Sequence, residues 1–205
     1  MKTKAMPRLR FTAADHGRQV SDWDFDIAEF EPCYKFELID GRLYVSAEPD
    51  PPECGLEKWL ERLLYDYSTS HPEVFDYIAN KARVFVPARQ RITVPEPDIA
   101  CYEDFPLERL YSDLKWHEVS PMLVVEVLVD SDPEKDLTRN VELYLKVPSI
   151  REYWVLDGRL DAAQPQLIQH RRHGNRWIVR TYEAGSTFTT KLLPGFELVL
   201  VPLAE

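Results

Sequence analysis

Three acidic residues stand where acids are costly. Glu126 lies in PMLVVEVLV (121–129), a run too short to cross a membrane and rich in β-branched valine, which reads as a strand covered on both faces. A carboxylate inside such a strand needs a metal, a hydrogen-bond donor or a basic side chain beside it. Asp98 follows Pro97 and opens a short strand, 98–102, while Glu37 sits within KFELI. If the strands of Asp98 and Glu126 are neighbours, both carboxylates can converge on one divalent cation. Ligation by oxygen alone favours Mg2+ or Mn2+ over Zn2+. Such an ion generates hydroxide and stabilises charge that builds up on a phosphate. Taken singly, each acid also reads as a strand-end carboxylate, solvated or paired with a base.

The elements that must position these acids are legible in order. In KFELIDGRLYVSA (35–47) the Asp40-Gly41 pair predicts a two-residue hairpin, and alternation puts Lys35, Glu37 and Ile39 on one face. After a PDPPE linker, Leu56, Trp59, Leu60, Leu63, Leu64 and Tyr67 fall at helical spacing, so an amphipathic helix is expected until His71-Pro72 stops it. KARVFVP (81–87) reads as a strand and LERLYSDLKW (107–116) as a short helix. The 121–129 strand is followed by a short amphipathic helix and a second apolar run, EYWVLD. A hairpin around Gly174 and a last strand, FELVLVP (196–202), complete the chain. The mixture predicts an α/β (α+β) fold: one mixed sheet with flanking helices and an N-terminal β-hairpin. Residues 1–30 read as an arm anchored by Trp23 and Phe25, and residues 31–205 as a single domain.

A net charge of −10 argues against simple coating of nucleic acid, which needs clustered Lys and Arg. Basic residues are nevertheless concentrated in KARVFVPARQR (81–91) and in 166–182. Arg83, Arg171, Arg172 and Arg176 are therefore candidate phosphate contacts. The basic hairpin reads equally as a solvated edge that discourages aggregation. Cys33, Cys54 and Cys101 lack CxxC spacing, which speaks against a disulfide framework or a zinc site and for a reducing cytoplasm. No run approaches the ~20 apolar residues of a membrane span. His117, His170 and His173 are too scattered for a metal triad and read as surface residues.

Several blocks together resemble the Uma-type family of putative restriction endonucleases, whose fold is that of the PD-(D/E)XK nucleases. FELIDGRLYVS resembles the family's opening hairpin, PEPDIACYED its PD block and PMLVVEVLVDS its acid strand. DLTRNVELYLKVPSIREYWVLD resembles its helix and following strand. The resemblance implies a restriction-endonuclease-like core acting on DNA with Mg2+ or Mn2+. It makes Asp98 and Glu126 the metal ligands and Glu37 an auxiliary acid. The general nuclease lysine, two residues after the strand acid, is here Leu128. The family's usual D-xxx-K-xxx-Y helix reads Asp136, Asn140, Tyr144, so an amide stands where lysine is expected. Arg139 is about 100° around an α-helix from that position and reads as a poor substitute. Lys35, on the face of Glu37, and Lys81 are the better candidates for a migrated base.

Losing one positioned charge costs about 2–4 kcal/mol, or about 10²–10³ in rate. Three readings follow. The first is a metal-dependent endonuclease with Glu37, Asp98, Glu126 and Asn140 at its centre and Lys35, Asp136 and Tyr144 lining it. The second is a weakened or inactive nucleic-acid-binding accessory module on the same fold. The third is a protein whose acids are merely salt-bridged. A homodimer would let two sites face two strands.

Overall fold

The strand that carries Glu126 runs through the middle of the main sheet. The computed structural model describes residues 9–47, 51–129 and 133–202. In chain order these form β1 (Arg10–Phe11), α1 (Asp22–Ile27), β2 (Glu29–Phe30), β3 (Tyr34–Ile39), β4 (Arg42–Ala47) and α2 (Pro51–Ser70). Then come β5 (Tyr77–Ala79), β6 (Ile99–Tyr102), β7 (Leu123–Leu128), α3 (Asn140–Leu145) and β8 (Glu152–Asp157). The chain continues through β9 (Gln166–His173), β10 (Arg176–Tyr182), β11 (Thr187–Thr189) and β12 (Glu197–Val199). Among the described residues the main sheet has the order β10-β9-β8-β7-β6-β5. Within this sheet only β7 and β8 run parallel, and a parallel pair needs a crossover, which carries α3.

All six residues of β7 are buried, as its valine-rich sequence requires, and its alternation divides two cores. Leu123, Val125 and Val127 face α2, where Leu56, Leu60 and Leu64 join Trp154 and the β11–β12 residues Phe188 and Leu198. Val124 and Leu128 face the other way, against Leu143, Tyr144 and Val147. The mixed α/β architecture expected from the sequence is therefore present.

The β3–β4 hairpin stands outside the main sheet. Asp40 (φ 49°) and Gly41 (φ 72°) both take the positive φ of a type I′ turn. Phe36 and Leu38 join Phe11, Phe25 and Val94 in a third core. Arg83 lies 4.5 Å from the Phe25 ring and 4.4 Å from the Phe30 ring, so its charge is spent on this aromatic cluster. Phe25 is the buried anchor expected; Trp23 is 71% exposed and anchors nothing.

Several local expectations are corrected. Helix α2 begins at Pro51, so the expected linker is partly its first turn; proline suits the start of a helix because its missing N–H would have no partner there. Residues 81–87 form no regular strand. Val84 and Val86 donate to Pro95 and Thr93 across an irregular ladder, which Pro87, Pro95 and Pro97 deprive of donors. The 107–116 segment forms 3-10 turns at Tyr111–Asp113 and Trp116–Glu118 in place of an α-helix. The last strand is shorter than expected, Glu197–Val199. His170 is buried and stacked on Tyr153 at 5.2 Å rather than at the surface.

Arg172 also has a structural position. Its guanidinium donates to the carbonyls of Tyr144 (3.0 Å), Leu145 (2.9 Å), Val147 (2.8 Å) and Ile150 (2.5 Å). Tyr144 and Leu145 end α3 and Val147 and Ile150 lie in the turns that follow it, so one guanidinium gathers the carbonyls around the helix C-terminus. Arg172→Met is expected to lower stability by about 2–3 kcal/mol, read by urea unfolding with intrinsic tryptophan fluorescence.

Candidate active site

Four elements meet at one polar cluster on the α3 side of the sheet. Asp98 precedes β6 and Glu126 lies in β7, next to it in the sheet. Lys35 and Glu37 come from one face of β3, as alternation predicts. Asp136, Asn140 and Tyr144 come from the helical segment that follows β7. This segment opens with a π turn, Lys135–Arg139, and continues as α3. An i→i+5 turn rotates each residue by less than the about 100° of an α-helix, drawing residues 135–140 toward one side.

Glu126 is fully buried, and its two oxygens are treated differently. Oε1 accepts from Asn140 Nδ2 and from the Tyr144 hydroxyl, both at 2.9 Å. Oε2 has no hydrogen-bond partner among the described residues; Lys35 Nζ lies 3.6 Å away and Lys135 Nζ 3.8 Å away. Burial holds the Glu126 carboxyl well above the usual carboxylate range although both lysines pull against it. Asn140 Nδ2 also donates to Asp136 Oδ1 at 2.9 Å, while its Oδ1 accepts from Arg139 Nε at 3.0 Å. An amide in this orientation holds two acids and one guanidinium together.

Asp98 is gripped at both oxygens. Lys35 Nζ donates to Oδ1 at 2.8 Å and the Val127 amide to Oδ2 at 2.7 Å. Burial opposes its ionisation, but Lys35 and Lys135 hold the carboxyl below its ordinary value. Around Lys35, burial likewise opposes the charge; Asp98, Glu126 and Glu37 nonetheless keep the ammonium well above the usual lysine range. Lys35 therefore stays protonated at neutral pH.

Glu37 is paired with Arg139, whose Nη2 lies 3.0 Å from Oε1 and 2.9 Å from Oε2. Arg139, read from the sequence as about 100° around the helix and a poor substitute for the lysine, nevertheless reaches the cluster. Its long side chain reaches across to β3, passing 5.7 Å from the Tyr44 ring. Lys135 was not singled out in the sequence at all, although its place beside Asp136 was a usable signal. Glu96, within the PEPD block, was also missed; it is buried, and its amide donates to Glu37 Oε1 at 3.2 Å. Lys81 lines a small cavity of about 220 Å³ with Lys35, Glu57, Glu96 and Asp98.

The structure thus brings Lys35, Glu37, Asp98, Glu126, Asp136, Asn140 and Tyr144 together. It does not bring the four candidate phosphate contacts together. Arg83 and Arg172 have the internal partners described above, Arg176 is exposed, and Arg171 lines a separate pocket with Arg180 and Lys191. Among the described residues no group of three or more His, Cys, Asp or Glu side chains is arranged to hold a metal. No helix among them is long and apolar enough to cross a membrane.

The fold is shared with the crystal structure of a "putative nuclease belonging to DUF820" from Anabaena variabilis. The likeness has a TM-score of 0.60 at 12% identity and covers 80% of this chain and 87% of the other. The family described as "Uma2: Putative restriction endonuclease" matches residues 22–202. The chain belongs to that family. No curated protein matches its sequence.

The buried Glu96 gives a pH signature. Burial raises its carboxyl to about 7, with Lys35 and Arg83 pulling the other way. A folded-state value above the unfolded one favours the protonated form, so this stability is full below ~4.3 and is lost as pH rises through 7. From roughly pH 5 to pH 8 the loss attributable to Glu96 is about 3 kcal/mol. Urea unfolding of Glu96→Gln is expected to lack that decline.

Proposed function

We propose that this chain is a metal-dependent nuclease that hydrolyses phosphodiester bonds of DNA, with Asp98 and Glu126 as the metal-holding acids. The observation that carries the reading is the placement of Lys35. Its ammonium is 2.8 Å from Asp98 and 3.6 Å from Glu126, so two strand acids and a lysine meet although neither expected lysine position is occupied. The family description supports the reaction class.

The residues fit a hard divalent cation. Both acids offer oxygen, and the buried Glu126 Oε2 lacks a hydrogen-bond partner. Two carboxylates suffice for Mg2+, which usually keeps several waters and takes substrate phosphate oxygens as further ligands. When bound, such an ion supplies Lewis acidity to the phosphoryl group and lowers the pKa of water.

The protein's own groups supply orientation and charge. The Val127 amide fixes Asp98, and Asn140 with Tyr144 fixes Glu126, so both acids keep one geometry through the reaction. Lys35, protonated, acts as a donor that orients the attacking water and balances charge on the phosphoryl oxygens, rather than as a base. Arg139 keeps Glu37 ionised: burial opposes that charge, but Lys135, Arg139 and Lys35 hold the carboxyl below its ordinary value. Glu37 then serves as an auxiliary acceptor beside the two metal-holding acids.

The test is cleavage of plasmid DNA with Mg2+ or Mn2+. Asp98→Asn and Glu126→Gln are expected to abolish it, and Lys35→Met to lower kcat by about 10²–10³. Cleavage that survives either acid substitution overturns the assignment. One observation favours the accessory-module reading: Lys35, Lys135 and Arg139 already neutralise the acids, and Asn140 brings no charge. Cleavage that appears only in Asn140→Lys would establish that second reading.

A further inference from the structure

Resting on that reading, we infer that the phosphodiester backbone of the DNA lies in a basic trough between the tip of the β3–β4 hairpin and the C-terminal end of α3. The trough has a volume of about 1200 Å³. It is lined by Arg42, Arg89, Arg91, Lys146 and Arg172, with Asp40 as the one acid among the described residues that line it. Five cations against one acid leave four positive charges on this surface, in a chain whose net charge is −10. A polyanion is steered to such a local field even when the net charge opposes it.

The trough continues into the acid cluster. Tyr44 lines it, and Arg139, which passes beside that ring, is bonded to Glu37. Tyr44 also faces Glu37 across the hairpin. Leu145 and Lys146, at the end of α3, line the trough, and on the same helix Tyr144 holds Glu126. A backbone lying along the trough therefore leads toward the residues proposed to cut it.

Arg42 and Arg91 are held by hydrogen bonds to neutral acceptors, which leave their charges in place. Arg42 donates to the Gly17 carbonyl at 2.8 Å and Arg91 to the Gln19 side chain at 2.8 Å. Arg89 pairs with Asp40. The segment that presents Arg89 and Arg91 turns at Ala88, which holds a positive φ of 57°. The basic pocket of Arg171, Arg180 and Lys191 is the rival surface. Arg171 and Arg180 extend from β9 and β10 with the residues that face α2, opposite to Glu126.

Binding separates these surfaces without reference to cleavage. A fluorescein-labelled DNA duplex is titrated in EDTA at several salt concentrations and followed by anisotropy. For the double variant Arg91→Gln/Lys146→Gln, affinity is expected to fall, and the slope of log K against log salt to shrink by roughly 1.8, at about 0.9 for each lost phosphate contact on a duplex. Asp40→Asn is expected to bind more tightly, because it removes the acid while asparagine tolerates the positive φ there. A misfolded variant cannot mimic that gain. Arg180→Gln/Lys191→Gln is expected to bind as the wild type does.

Trough variants that bind like the wild type, or a loss confined to Arg180→Gln/Lys191→Gln, overturn the inference. So does an absence of DNA binding. If the trough variants bind like the wild type while the wild type still cleaves, the nuclease reading stands without the trough. If they weaken binding and the wild type does not cleave, the trough stands and the nuclease reading falls.

Discussion

The burial of one carboxylate in a strand covered on both faces governs the arrangement around it. Ionising such a group costs several kcal/mol of solvation, which only its neighbours can restore. At Glu126 the neighbours come from three directions: Asn140 and Tyr144 from α3, Lys135 from the π turn, and Lys35 from β3. None of these elements is close to β7 in sequence except through the crossover. The position of the hairpin and the pitch of the helix therefore both depend on what Glu126 requires.

The hairpin shows that dependence most directly, because the main sheet does not hold it. Its attachments include the apolar core beneath Phe36 and Leu38, the Leu38–Val94 and Gln19–Arg42 bridges, the backbone bonds to residues 17–20 and the polar contacts to the cluster. Of those contacts, Arg139 to Glu37 ties hairpin to helix, and Lys35 to Asp98 ties hairpin to sheet. Breaking either leaves a buried charge without its partner, which is far costlier than losing a surface pair. The wide turn at Lys135–Arg139 directs Lys135, Asp136 and Arg139 toward the acids from a single segment. π turns recur at functional sites for this geometric reason.

Much of this was legible because it rests on local rules. The type I′ hairpin at Asp40-Gly41, the apolar stripe of α2 and the two-sided burial of β7 each follow from a period or a turn preference that the chain carries within a few residues. Alternation alone put Lys35 and Glu37 on one face. Legibility ended where reach and long-range pairing took over. On an ideal α-helix Arg139 lies about 100° from Asn140, but the π turn and the length of its side chain bring it to Glu37. Residues 81–87 had the composition of a strand, yet their partner segment carries Pro95 and Pro97, so a regular ladder could not form. Arg172 and Arg83 looked like surface charge because a sequence does not show which carbonyls or rings will lie beneath a guanidinium.

A second buried carboxylate is held in a different way from Glu126. Glu152 lies in β8, the next strand, on the α2 side of the sheet, and is as deeply buried. It is satisfied by neutral donors alone: Trp154 Nε1 at 2.7 Å and Gln169 Nε2 at 2.9 Å to one oxygen, and the Thr190 hydroxyl at 2.6 Å to the other. Both of its oxygens are occupied, and no lysine or arginine among the described residues is bonded to it. The fold can therefore bury a carboxylate without assembling cations around it. Glu126 is kept otherwise, with one oxygen fixed, the other without a hydrogen-bond donor, and two ammonium groups just beyond hydrogen-bonding distance. That arrangement is a poor way to stabilise an ion and a good way to hold one ready for a further electrophile. It is the arrangement that the proposed metal-holding role requires, and Glu152, with both oxygens occupied, does not share it.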